Sequence, residues 1–78
     1  MDKKFIKTKI KKILEEILDI VNLPEDASDK NIDEWDSLTY LTILTKIEDK
    51  FQIKIDENNL NHFDSYKRIV KLIINAKK

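Results

Sequence analysis

The chain contains no glycine, and that absence excludes more than most of the residues present. Glycine reaches positive φ at no steric cost, so phosphate-cradling P-loops and the dinucleotide fingerprint are excluded together. Type I′ and II′ hairpin turns lose their preferred residue as well, which argues against an all-β fold. Cysteine is also missing, and with it disulfides, cysteine-ligated metals and thiol nucleophiles. No apolar run is long enough to span a bilayer, and no signal-peptide core follows Met1. The expected location is therefore cytoplasmic, with no membrane partner. Proline occurs once, at Pro24, between two strongly periodic stretches.

What remains suits one small helical domain spanning residues 1–78. Of the 78 residues 41% are hydrophobic, too many for a disordered chain and enough for a single core. So small a core supplies only a few kcal/mol of net stability, which disfavours a large buried catalytic pocket. A monomeric binding module is expected rather than a free-standing enzyme.

Periodicity places the elements. Ile6, Ile10, Ile13, Leu14, Ile17 and Leu18 recur at three- and four-residue steps, predicting a first helix from about Lys3 to Val21. Asn22 and Pro24 stop it, because proline disfavours helical geometry in its predecessor. A long acidic loop follows to Asp36, with Ile32 and Trp35 expected to pin it to the core. A second helix starts at Asp36 or Ser37 and runs to Phe51, with Tyr40, Ile43, Leu44, Ile47 and Phe51 on its inward face. Phe51 to Ile55 alternates but has no partner strand, so an extended loop with Ile53 and Ile55 tucked inward is expected. Asp56 caps one short turn through Asn58, Asn59 and Leu60. Asp64 or Ser65 caps a last helix, which buries Tyr66, Ile69, Val70 and Ile73. The fold class is thus all-α, a small four-helix bundle of three main helices and one short one.

The formal net charge is zero although 38% of residues are charged, because the two signs are segregated. Six lysines face a single acid, Asp2, in residues 1–14, whereas nine acids face only Lys30 in residues 15–36. Five basic residues and no acid follow Ser65. Basic partners should be drawn to the loop and to the helix it enters.

That junction, Asp33-Glu34-Trp35-Asp36-Ser37-Leu38, carries the most information. It sets a serine hydroxyl at a helix N-terminus, where free amides and the macrodipole favour a phosphate. Leu38 and Leu41 lie in the next turn, away from the inward face and beside Thr45. The plainer reading is ordinary helix capping, with Asp36 as cap and Ser37 merely the first helical residue. Two outward leucines are also common on protein surfaces. Both readings are open on these residues alone.

Over nearly its full length the chain resembles the acyl carrier protein family, including its peptidyl and aminoacyl relatives. The resemblance rests on a first amphipathic helix, a long loop, Asp36-Ser37-Leu38, and a helix ending Ile47-Glu48-Asp49-Lys50-Phe51. It continues through Ile53-Lys54-Ile55, a short helix, and Phe63-Asp64-Ser65-Tyr66 before Ile69-Val70. It implies that Ser37 is esterified by 4′-phosphopantetheine, supplied from coenzyme A by a phosphopantetheinyl transferase. The arm's thiol would then carry an acyl or aminoacyl group as a thioester. Asp36 would serve as helix cap and transferase contact, and Leu38, Leu41 and Thr45 would meet partner enzymes. Those partners would be a loading ligase and a downstream acyltransferase or synthase.

The chain departs from the family pattern in several places. Glu34 stands where many members have a glycine three residues before the serine, and Trp35 follows it. Thr39 and Thr42 occupy positions often acidic in fatty-acid carriers, and Lys46 and Lys50 intrude further along. These differences point to a specialised biosynthetic pathway. Cargo held between the helices would lie against Leu44, Ile47, Ile55, Leu60 and Ile69.

Other signals are weaker. The N-terminal lysines surround an apolar stripe, with no arginine cluster or aromatic run to accompany them, so nucleic acid is not an expected partner. His62 stands alone without cysteine, and Asp26, Asp29 and Asp33 lack calcium-loop spacing, so no metal is expected. No nucleophile has an evident base beside it, and no catalytic residue is assigned. The competing function is a helical adaptor that docks partners through Leu38, Leu41 and the acidic loop, with Ser37 only a capping residue.

Overall fold

The computed structural model of the protein describes residues 2–76. Three α-helices, α1 (Lys3–Leu18), α2 (Ser37–Phe51) and α3 (Tyr66–Ala76), are joined by a long loop and by a 3-10 helix over Glu57–Asp64. Helix α1 packs on α2 and α3, and the 3-10 helix packs on both of these as well. The architecture is the expected all-α bundle.

Each helix buries one stripe at the helical repeat. Ile6, Ile10, Leu14 and Leu18 of α1 meet Ile43, Leu44, Ile47 and Phe51 of α2 and Tyr66, Ile69, Val70 and Ile73 of α3. The stretch after Phe51 is an extended loop, with Ile53 half-buried and Ile55 buried.

Helix α1 ends at Leu18, three residues before the position its periodicity predicts, and Val21 is 86% exposed. The cause is a left-handed residue, Asp19 (φ 56°), after which both Asp19 and Ile20 donate their N–H groups to the Glu15 carbonyl. Helix α2 stops the same way. Gln52 (φ 54°) is left-handed, and Gln52 and Ile53 donate to the Glu48 carbonyl. The two glutamates also use their side chains alike: Glu15 accepts from Leu23 N–H at 2.9 Å and Glu48 from Ile55 N–H at 2.7 Å. One residue type thus ends each helix and fixes the first buried residue of the following loop.

The loop from Asp19 to Asp36 wraps the core. Leu23, Ala27 and Trp35 are buried and Ile32 is half-buried, so the expected anchors hold and two more join them. An antiparallel bridge between Ser28 and Ser65 stitches the loop to the entry of α3, through Tyr66 N–H to Ala27 O and Asp29 N–H to Asp64 O. The short helix is longer than its Asp56 cap predicts, running on past Leu60 to Asp64, with a kink at Phe63.

Candidate functional site

The start of α2 is built around the Asp36 carboxylate. Asp36 has extended backbone geometry, and its Oδ1 accepts the Thr39 N–H at 3.0 Å. It is therefore the N-cap, and Ser37 takes the first helical position. The Thr39 hydroxyl lies 3.0 Å from the same Oδ1 and 2.9 Å from the Glu34 carbonyl oxygen, so one threonine ties the cap to the loop before it. The Thr39 N–H, and after it the Thr39 hydroxyl, hold the Asp36 carboxyl below its ordinary pKa. Because Asp36 supplies the cap, the Ser37 hydroxyl is not needed for it. Ser37 is exposed.

Trp35 holds this corner from below. Its side chain is buried, and Nε1–H donates to the Phe63 carbonyl at 2.8 Å, joining the end of the loop to the 3-10 helix. Tyr40, expected on the core face, is only half-buried, because its hydroxyl reaches out to donate to the Asp29 carboxylate. That bond, ahead of burial and the charge of Asp29, pushes the Tyr40 pKa up to about 12.

Beyond the cap, α2 turns an apolar row outward. Leu38 is 80% exposed and Leu41 51% exposed, on the side opposite the buried Ile43, Leu44 and Ile47. Thr45 is exposed one turn further on, and its hydroxyl folds back on the Leu41 carbonyl at 3.0 Å. Thr42 does the same with the Leu38 carbonyl at 3.4 Å. Ser37, Leu38, Leu41 and Thr45 thus form one continuous exposed row that begins at the helix N-terminus. Leu44, Ile47, Ile55 and Ile69 are buried in the core, and Leu60 is half-buried against it.

A comparison with protein families adds to this geometry. Residues 8–73 match the family described as the phosphopantetheine attachment site. The chain belongs to that family. Comparisons with curated proteins and with solved structures give no match. The protein is a phosphopantetheine-dependent carrier, and its cofactor is covalently attached 4′-phosphopantetheine. Proteins of this kind are carriers rather than catalysts, and they interact with a phosphopantetheinyl transferase and with biosynthetic enzymes. Among the described residues no helix is long and apolar enough to cross a membrane.

The geometry fits the group. An exposed hydroxyl at a helix N-terminus has free amides beside it that suit a phosphodiester, and an exposed apolar row lies next to it. The departures from the family pattern also find physical accounts. Glu34 does not have positive φ, so its position does not require glycine here. Thr39 replaces an acid with a hydroxyl that locks the cap. Its contribution was not read from the sequence, although a hydrogen-bonding residue three positions after an N-cap aspartate is the spacing of a capping box.

Proposed function

We propose that Ser37 is the attachment serine and that the protein carries an acyl or aminoacyl group in a specialised biosynthetic pathway. The observation that carries this reading is the division of labour at the start of α2. Asp36 takes the capping bond from Thr39 N–H, leaving an exposed Ser37 hydroxyl at the same helix end. In the attachment step the Ser37 oxygen loses its proton and bonds to phosphorus, and the nucleotide part of coenzyme A leaves. When attached, the arm supplies the thiol that holds the cargo as a thioester.

The chain's own residues do three things. The N-terminal amides of α2 offset the negative charge of the phosphodiester. Asp36, fixed by Thr39, holds the helix end in place and meets the transferase. Leu38, Leu41 and Thr45 offer an apolar edge to the transferase, to a loading ligase and to a downstream acyltransferase or synthase. Thr39 and Thr42 on this surface, with Lys46 and Lys50 beyond, make α2 less acidic than a fatty-acid carrier would need, which supports a dedicated pathway. Residues 1–78 act as one cytoplasmic, monomeric, non-catalytic domain with neither nucleic acid nor membrane as partner.

The test is intact-protein mass after incubation with coenzyme A and a permissive phosphopantetheinyl transferase. The expected result is a gain of one phosphopantetheine mapped to Ser37, abolished by Ser37→Ala with the helical content unchanged. A gain that survives Ser37→Ala overturns the site. No gain by folded protein, with a control carrier modified in parallel, overturns the reading and leaves an adaptor docking through Leu38 and Leu41.

A further inference from the structure

A second charged surface lies on helices that the Ser37 row does not use. Lys3 and Lys7 on α1 and Lys67 and Lys71 on α3 are two pairs spaced i, i+4, and they line a groove of about 410 Å³ between the two helices. Val70 and Ile74, one turn apart on α3, are its apolar floor. The lysines are mostly unmatched. Lys7 pairs with Glu25 at 3.4 Å across an exposed surface, and the other ion pair among the described residues, Arg68–Asp64, leaves Lys3, Lys67 and Lys71 without a carboxylate. Glu25 also lines the groove and offsets Lys7 in part, so four ammonium groups and one carboxylate leave a net positive rim around an apolar strip.

The structure assigns this groove to an acidic amphipathic helix of a partner protein. Such a helix would lay apolar side chains on Val70 and Ile74 and set carboxylates at i, i+4 on both flanks against the two lysine pairs. Other anionic surfaces fit less well. A membrane-binding element presents its apolar face outermost, whereas here Val70 is buried and Ile74 is only half-buried, while Lys3, Lys67 and Lys71 are exposed. A nucleic acid would find no arginine and no exposed aromatic platform in the groove. A second copy does not supply the occupant either, since α1, α2 and α3 all carry lysines and the acidic segment of this chain is the non-helical loop.

The groove shares no residue with Ser37, Leu38, Leu41 or Thr45. An acidic partner could therefore hold the carrier while the α2 edge remains open to a second enzyme. The inference requires no prosthetic group, so it stands or fails separately from attachment at Ser37.

The test uses the full chain without the arm, isotopically labelled, titrated with a synthetic amphipathic peptide bearing leucines on one face and glutamates on both flanks. The expected result is saturable binding, with amide shifts centred on Lys3, Lys7, Val70, Lys71 and Ile74. Lys67→Glu with Lys71→Glu should weaken it about tenfold or more, while Lys67→Arg with Lys71→Arg should retain it. Raising salt from about 50 to about 500 mM should weaken it too. The inference is overturned by absence of saturable binding, by shifts confined to Leu38–Thr45, or by charge reversal without effect in a variant of unchanged helical content. Cosedimentation with phosphatidylglycerol vesicles in place of peptide binding would equally overturn it, in favour of a membrane surface.

Discussion

Trp35 Nε1–H donates to the backbone carbonyl of Phe63 at 2.8 Å, and both side chains are buried. This bond spans 28 residues and joins the long loop to the 3-10 helix, directly beneath the start of α2. The corner bearing Ser37 is therefore held from the core side as well as by its own cap.

Replacing Trp35 with phenylalanine keeps most of the apolar volume and removes the donor. The buried Phe63 carbonyl is then left unsatisfied, at a cost of about 1–3 kcal/mol. Trp35→Ala adds a cavity and should cost about 3–5 kcal/mol, a large share of what a domain this small possesses. Urea unfolding should rank wild type above Trp35→Phe above Trp35→Ala. In native-state hydrogen exchange, Trp35→Phe should lose protection first in the loop before Ser37.

The absence of glycine has a measurable consequence at Asp19 and Gln52, the left-handed residues that end α1 and α2. A left-handed L-residue costs roughly 1–2 kcal/mol, while the extra unfolded-state freedom of glycine costs about 0.4–1 kcal/mol. Asp19→Gly should therefore stabilise by roughly 0.5–1 kcal/mol, and it also removes a negative charge from a helix C-terminus. Gln52→Gly should gain less, because the Gln52 Nε2 bond to the Asp49 carbonyl at 2.7 Å is lost. At about 4–8 °C per kcal/mol, the Asp19→Gly gain is visible in a thermal melt. Asp19→Ala is the control: it removes the same charge but keeps the steric penalty, so it should fall clearly short of Asp19→Gly.

These caps also show where sequence reading stopped. The helical stripes were legible because burial selects residues at the helical repeat, and the capping aspartates at Asp36 and Asp56 were legible because their chemistry is local. The end of α1 was misplaced because Ile20 and Val21 look helical, while the decisive event is a single positive φ at Asp19 with no glycine to announce it. At the candidate site, spacing alone sets Ser37 at the helix start and Leu38 and Leu41 off the inward face. It leaves plain capping open, and only the family resemblance singles Ser37 out. The bonds from Trp35 to Phe63 and from Tyr40 to Asp29 could not, because each joins segments whose approach depends on the tertiary fold. Tyr40 fell on the inward face by angle, yet a carboxylate on the loop draws its hydroxyl outward.

That bond makes a pH prediction with a definite sign. The Tyr40 hydroxyl donates to the Asp29 carboxylate, and ionising it would set two negative charges together, so its pKa rises from 10.0 to about 12. A group whose pKa is raised on folding stabilises fully below its unfolded value and loses that contribution as pH climbs through the folded one. The stabilisation should thus be intact at neutral pH and decline between about pH 10 and pH 12. Tyr40→Phe should be less stable than wild type near neutral pH, and the gap should narrow through that window. Burial also raises the Tyr66 pKa, so the variant keeps some alkaline sensitivity of its own. Urea midpoints for the two proteins at successive pH values check this, and a gap that stays constant into the alkaline range would show that the Asp29 contact does not govern Tyr40 ionisation.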